Sequence, residues 1–511
     1  MGSRVLTHYL VSCLLLVGGA SLAAANPTEP AIQKGGVLHL ALLGLDTADP
    51  HRHSGSIAVQ QVFVETLTSI AEDGQVKPFL AEHYTVSEDG KAYRFTLRQG
   101  VRFHNGRLLQ ASDIVANIDR VREKVKGGWL SGAMNLITSV QAPDERTVQI
   151  VLSEPYAPFL NLLSELWIVA PESEGWADTI SKPIGTGPFM FGAWTPNMKF
   201  SAPRFDQYWQ EGLPYLDSLV FDLQGNKDNS LGLRAGDLQV AYVAADRLPS
   251  LRKSNFEIQT LKDSAWYFLS FNNRKPSAVM SKPLVREAIA AAIDKTAYMN
   301  FIAGDAAVIS NQAMKPGTYY WDAALEQTDT AALPNLRKAQ ELLEQAGVNP
   351  KEHTLKVVSW QNEYAQVAVQ MVRQLGFKVD HQALDDIGAQ KLLSEYQWDL
   401  APFHSGPRAD VYLRYARFLS DGPSPMLWGG IQDAQLDALI QQAVASSSAE
   451  QARQLYLQAW KHVLDKQYTV PIGHAADAIA LAPQVRGYQT GYTWSQNRVD
   501  GGVARVWLAK E

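Results

Sequence analysis

Apolar and polar positions follow two rhythms along this chain, and the rhythm changes near Leu336. Upstream, Gly36 to Leu43 (GVLHLALL) predicts a buried first strand, and Ile57 to Ile70 predicts a helix. YRFTLRQGVRF, from Tyr93 to Phe103, alternates with the period of two that a half-buried strand needs, and the chain then turns at Asn105-Gly106. Ser112-Asp113 reads as the cap of an amphipathic helix that runs to about Glu123. TVQIVL at Thr147 to Leu152 predicts another strand, and YAPFLNLLSEL another helix.

From Leu336 to Phe403 helix and strand patterns alternate strictly. LRKAQELLEQAG is a helix closed by Gly347, and TLKVVSW a strand. EYAQVAVQMVRQLG is a helix closed by Gly376, and FKVDHQAL a strand. IGAQKLLSEYQ and WDLAPF make a third helix–strand step. Parallel strands need a crossover, and helices at this spacing supply it, so this half is α/β with parallel pairing.

The first residues carry a different pattern. Arg4 is the lone charge of residues 1–25, Tyr9 to Gly19 are apolar, and Ala23-Ala24-Ala25 give a small-residue cleavage site before Asn26. This reads as a secretory leader cut after Ala25. Cys13 is the single cysteine and lies inside it, so the mature chain has no disulfide, thiolate metal site or cysteine nucleophile. Its position ahead of most of the apolar run also argues against a lipoprotein site. Beyond the leader no apolar run is long enough to span a bilayer, and the 511-residue length suggests two or three domains. The formal charge of −6, one unit more negative without the leader, argues against nucleic-acid binding. Thirteen Trp and nineteen Tyr suit either a large core or a cavity lined with apolar area and hydrogen-bonding handles.

Four segments, in order, resemble the family-5 extracytoplasmic solute-binding proteins, which deliver dipeptides, oligopeptides, nickel complexes and related solutes to ABC importers. They are KPFLAEHYTVSEDGKAYRFTLRQGVRFHNGRLLQASDIVANIDRV (Lys77 to Val121), GTGPFMFGAW (Gly185 to Trp194), RFDQYWQEGLPYLDSLVF (Arg204 to Phe221) and WYFLSFNNRKPSAVMSKPLVREAIAAAIDK (Trp266 to Lys295). The resemblance implies an α/β, two-lobed periplasmic-binding-protein clamp of type II, in the large form with an extra subdomain. A larger lobe would take residues 26–272 and 480–511, with the subdomain at about 60–180. A smaller α/β lobe would take 273–479, and strands crossing near Asn272 and Ala478 would form the hinge. In GTGPF, Gly185 and Gly187 permit tight backbone geometry and Pro188 fixes φ. A phosphate loop is the competing reading, but no Gly-Lys-Ser/Thr follows.

WDLAPFHSGPRADVYLRY (Trp398 to Tyr415) ends a strand and starts a helix, the place where open α/β sheets gather ligands. In peptide binders of the family an aspartate of this loop pairs with the ligand's ammonium group. Aligning Gly406 and Asp410 on that framework puts Pro407 at its position, a departure from the family pattern. Arg408 could instead grip a carboxylate or phosphate, or be a loop arginine paired with Asp410. Phe403 and His404 share the location. Trp266, Tyr267 and Asn272 are expected to line the cleft or to pack in the core, with Trp129 and Trp360 as remoter candidates. His51, Arg52 and His53 in DPHRHSGS are a second place for solute contact; two histidines alone make a weak metal site, and neither a metal nor a cofactor is expected.

The resulting expectation is a monomeric periplasmic receptor that captures a small solute and passes it, chemically unchanged, to inner-membrane ABC permease subunits. Pro407 and Arg408 together favour a solute with an anionic group, a short peptide first and an opine-like or metal-chelate compound second. An exported hydrolase with paired carboxylates is the alternative. Asp385-Asp386 would be its candidates, but acids there also cap a helix and suit its dipole. A chaperone-like or sensory role on the same fold is the third reading.

Overall fold

The computed structural model describes residues 31–510 apart from 43, 53–56, 72–74, 126–129, 131–133, 225–227, 262, 327–332, 361–362, 385, 409, 423–424, 447, 492–496 and 500. For 57, 246, 305, 363, 386–387, 425, 497 and 501 it describes the backbone alone. The expected leader, His53, Trp129 and Asp385 therefore lie outside the described residues.

Two large sheets organise the chain. The first has seven strands in the order Glu257–Thr260, Ala478–Leu481, Val240–Val243, Val37–Ala41, Ser218–Asp222, Lys199–Pro203 and Trp194–Thr195. The second has six, in the order Ala307–Ile309, Thr469–Ala475, Ala265–Phe271, Leu400–Ser405, Thr354–Trp360 and Lys378–Leu384. Each carries its own apolar core. Leu38, Leu40, Phe200, Leu219 and Phe221 anchor one, and Leu269, Phe271, Ile289, Val357 and Val372 the other. A third body, the antiparallel sheet Ala81–Val86, Ala92–Leu97, Thr147–Leu152 and Ile137–Gln141, packs against the helix Ala111–Lys124.

The alternation read between Leu336 and Phe403 is what forms. Helices Leu336–Gln345 and Glu363–Gln374 and strands Thr354–Trp360, Lys378–Leu384 and Leu400–Ser405 follow one another. Thr354–Trp360 runs parallel to Lys378–Leu384 over its whole length and to the third strand at Val357 and Leu400. Gly347 and Gly376, at φ of 63° and 99°, take the left-handed conformation that ends each helix.

One predicted helix fails. Ile57–Gln60 is helical, but the chain then extends, and Thr68–Ile70 is a strand. Val59, Val62, Phe63, Val64 and Leu67 are fully buried, and the polar Gln60, Gln61, Glu65, Thr66, Thr68 and Ser69 are buried with them, so the polar positions mark no solvent-facing side and the helical periodicity misleads. The turn that follows Gln60 accepts Gly187 N–H at Phe63 O and Phe189 N–H at Val62 O. The helix cap also moves. Gln110 precedes the first turn, and the Asp113 carboxylate inside that turn accepts the Gln110 N–H at 2.8 Å.

Two antiparallel strand pairs carry the chain from one sheet to the other. Thr260 pairs with Ala478 in the first, Ala265 with Ala475 in the second, and Leu261 N–H donates to Asp477 O between them at 3.1 Å. The change of sheet thus falls at residues 261–264 and 476–477. The first crossing comes earlier than the expected Asn272, because the whole strand Ala265–Phe271 belongs to the second sheet.

Candidate functional site

Thr354–Trp360 and Leu400–Ser405 run parallel, so their carboxyl ends lie at the same edge of the second sheet. A cavity of about 200 Å³ sits there. Trp360 enters it from one strand end, Phe403 and His404 from the other, and Tyr364 from the following helix. Phe268 comes from the adjoining antiparallel strand, while Arg417, Leu427 and Trp428 come from the turns beyond Tyr415. Phe268 stacks on Trp428 at 4.7 Å, and Trp360 packs on Phe403 at 5.2 Å. His404 is reached by solvent, stacks on Tyr267 at 5.4 Å and has Nδ1 3.1 Å from Tyr364 Oη. Surrounding protein and the nearby Arg408 charge lower its pKa, so the ring is neutral at pH 7.

Charged groups gather beside this cavity, and only some of them are paired. Arg408 N–H donates to Asp263 Oδ2 at 2.9 Å, but Arg408 Nε is buried with no hydrogen-bond partner. The Arg417 guanidinium lies 5.3 Å over the Trp428 ring. Desolvation pulls the pKa of both arginines below the ordinary value, and for Arg417 the charges of Arg408 and Arg414 add to it. Asp263 pairs with Arg414 at 3.5 Å; among the described residues neither Arg408 nor Arg417 has a carboxylate at ion-pair distance. Glu165, just after the helix Phe159–Leu163, interacts with both, yet burial pushes its carboxyl up to about 7. Asp410 does not pair with Arg408. It caps the helix Val411–Tyr415 by accepting Tyr412 N–H at 2.7 Å, and desolvation raises its pKa to about 6.

Glu165 belongs to the third body, and the arginines to the second sheet's side of the molecule. These two sides meet directly. Tyr156 packs edge-on against Tyr412 at 5.3 Å, and Ala157 N–H donates to Val444 O at 3.1 Å.

A site of this form, on a sheet reached by two crossings, is what the comparisons with known proteins also find. Residues 75–423 match the model for bacterial extracellular solute-binding proteins, family 5 Middle. The chain belongs to this family. The expectation of a solute receptor of the ABC-importer type, rather than an enzyme, is borne out by that membership. The chain is 28% identical to the glutathione-binding protein GsiB of Salmonella typhi over 397 residues, 75% of each protein. It shares the two-lobed fold of the Helicobacter pylori periplasmic binding protein DppA in complex with the peptide STSA, with TM-score 0.80, 24% identity, and 94% and 99% of the two chains covered. The binding protein AgaA of Agrobacterium tumefaciens in complex with agropinic acid is similar, with TM-score 0.78, 24% identity, and 93% and 99% covered.

Within this family-5 receptor the expected site residues separate into two groups. Phe403, His404 and Arg408 gather at the cavity with Trp360, and Tyr267 lies against His404. Trp266 does not reach the cavity. It is 0% exposed and stacks behind Phe268 at 4.1 Å, because alternation along the strand puts both on the same covered face. Asn272 lies past the opposite end of that strand, where its Nδ2 donates to Tyr396 O and Trp398 O. Its role is to close a turn.

His51 and Arg52 serve another junction. His51 Nε2–H donates to Trp167 O at 2.8 Å, and its Nδ1 accepts from Arg120 at 2.7 Å. Arg120 also forks onto Asp49, and Arg52 donates to Lys124 O. This buried knot fastens the first sheet's loop to the third body, which explains the histidine without a metal. Among the described residues no three His, Cys, Asp or Glu side chains are placed to hold a metal ion, and no helix is long and apolar enough to cross a membrane. Arg417, Glu165 and Trp428 were not singled out from sequence. A strand-to-helix loop extended past Tyr415 would have included Arg417, but nothing local marks Glu165.

GTGPF is architectural, and its glycines are explained by close approach. A Cβ at Gly185 would overlap the Phe63 carbonyl, and one at Gly187 would fall 2.7 Å from Val62 O. His104 completes the joint by donating Nε2–H to Gly187 O at 3.0 Å.

Proposed function

We propose that this receptor captures a short peptide or a related small anionic solute at Arg408 and Arg417 and hands it to the permease subunits of an ABC importer. The observation that carries the reading is the buried Arg408 Nε with no hydrogen-bond partner, beside a second guanidinium, Arg417, that has no carboxylate at ion-pair distance among the described residues. A solute carboxylate supplies the missing acceptors, and arginine's planar fork favours that geometry. Glu165 and Asp410, whose carboxyls are held partly protonated by burial, offer seats for a solute ammonium group. Both ends of a zwitterion thus find partners. Relatives named for glutathione and for a bound peptide support the same class.

In this reading the larger lobe comprises residues up to 260 and from 478, the smaller lobe 265–475, and the paired crossings between them act as the hinge. Closure brings Glu165 toward the arginines and shapes the surface the permease recognises. The leader at residues 1–25 places the mature, monomeric chain in the periplasm. A thermal-shift screen of the mature chain tests the function: short peptides with free carboxylates raise the melting temperature. Stabilisation by neutral sugars alone overturns it.

A further inference from the structure

We propose that the 200 Å³ cavity is a specificity pocket for one benzene-sized apolar group of the solute, with the solute's carboxylate held at its mouth by Arg417. This rests on the receptor reading above and adds the side group the solute carries. Size is the first argument. An apolar cavity of about 150 Å³ holds one benzene, so this one takes a phenyl or branched aliphatic group and no fused ring system.

The second argument is the lining. Phe268, Trp360, Tyr364, Phe403, Leu427 and Trp428 present aromatic and aliphatic surface, the Tyr364 phenol being kept neutral by burial, which leaves His404 and Arg417 as the lining groups able to carry charge near neutral pH. With the imidazole neutral, the sole charge is the Arg417 guanidinium over Trp428. A lysine-like group would meet that cation and lose its own hydration; an apolar group replaces water from apolar surface.

The third argument is rigidity. Phe268 and Trp428 are each stacked on Trp266, at 4.1 and 5.9 Å, and Trp266 packs edge-on against Trp460 at 5.5 Å. The walls are braced from behind and cannot fold inward, so the space is formed before the solute arrives. Trp428 Nε1, buried and without a hydrogen-bond partner, adds one donor for a polar atom of the solute.

Isothermal titration of the mature chain with three tripeptide series, Xaa-Ala-Ala, Ala-Xaa-Ala and Ala-Ala-Xaa, tests the pocket. In one series Phe and Leu should bind on the order of a hundredfold more tightly than Ala, the gain from burying that much more apolar surface. Lys and Glu should bind no better than Ala. Leu427→Trp, which fills the space, should bring the Phe-to-Ala affinity ratio down to about one, and an unchanged ratio overturns the pocket. Phe403→Ala, which enlarges it, should move the optimum to a naphthyl group. Equal affinity for Ala and Phe in every series, or the tightest binding by Glu, overturns the pocket and leaves the receptor reading standing. Failure of every peptide to bind overturns both.

Discussion

The Asp263 carboxylate accepts the backbone N–H of Arg408 at 2.9 Å, so a residue of the first crossing between sheets holds the loop beside the cavity. Asp263 also pairs with the buried Arg414. The position of the loop beside the cavity is therefore tied to the segment that passes between the two sheets. Asp263→Ala takes a carboxylate from a buried guanidinium and an acceptor from the loop, and should destabilise the fold by about 3 kcal/mol. Asp263→Asn, which keeps an acceptor, should recover part of that. Urea unfolding measures both.

Arg408 and Arg417 should show opposite effects on stability and binding. Desolvated cations with no carboxylate at ion-pair distance among the described residues weaken the empty receptor, so Arg408→Gln and Arg417→Gln should leave its melting temperature unchanged or raise it. Each should weaken binding of a free-acid peptide by about 2–3 kcal/mol, because the carboxylate loses its charged partner. The amide-capped peptide should bind both variants and the parent alike. Melting curves and calorimetry distinguish this from a structural role, in which stability and affinity would fall together.

Glu165 gives the receptor a pH dependence near neutrality. Its carboxyl titrates at about 7 in the folded chain against 4.5 ordinarily, so the folded state holds the proton longer. Its contribution to stability is complete below pH 4.5 and is lost as pH rises through 7. Binding of an ammonium group runs the other way, since it needs the carboxylate. Affinity for a peptide with a free amine should therefore rise between pH 6 and 8, with proton release on binding. Glu165→Gln should flatten that rise, and titration in buffers of different ionisation enthalpy detects the protons.

His474 contributes with the opposite sign. It is 1% exposed, lies 3.2 Å from Ser264 Oγ, and donates Nε2–H to Gln312 O at 2.9 Å. Burial first, and then the Arg414 charge, push its pKa down to about 3. The unfolded chain takes up a proton below 6.5 and the folded chain does not, so stability present above 6.5 is lost as pH falls toward 3. Between pH 6.5 and 5 this amounts to about 2 kcal/mol. Over that interval Glu165 acts against it, and the parent's net slope understates each. Urea midpoints at pH 7.5 and 5 should show a smaller acid loss in His474→Gln than in the parent.

Gly185→Ala tests the architectural reading of GTGPF. The added methyl has no room against the Phe63 carbonyl, so backbone must move and stability should fall by about 3 kcal/mol or more. Solute affinity of the fraction that still folds should be unchanged.

Sequence patterns disclosed the fold where each element has one buried and one exposed face, as in Leu336–Gln345 with Ala339, Leu342 and Leu343 inward. They misled where burial is complete, as between Ala58 and Ile70, since buried Gln60, Gln61, Glu65, Thr66, Thr68 and Ser69 imitate the exposed face of a helix. The site was legible only where residues adjoin in the chain: Phe403, His404 and Arg408 share one strand end. Trp266 and Tyr267 are neighbours with different environments, a distinction set by the face each takes in the sheet. Glu165 stands more than two hundred residues from Arg408, and only packing of the third body against the second sheet's side brings them together.

The most direct test of the account is mass spectrometry of the solute released on denaturing receptor purified from its native compartment. The expected result is a small, chemically unmodified compound with at least one carboxylate, present with the parent chain and depleted with Arg408→Gln. Recovery of a neutral sugar, or of a compound cleaved by the protein, would contradict it.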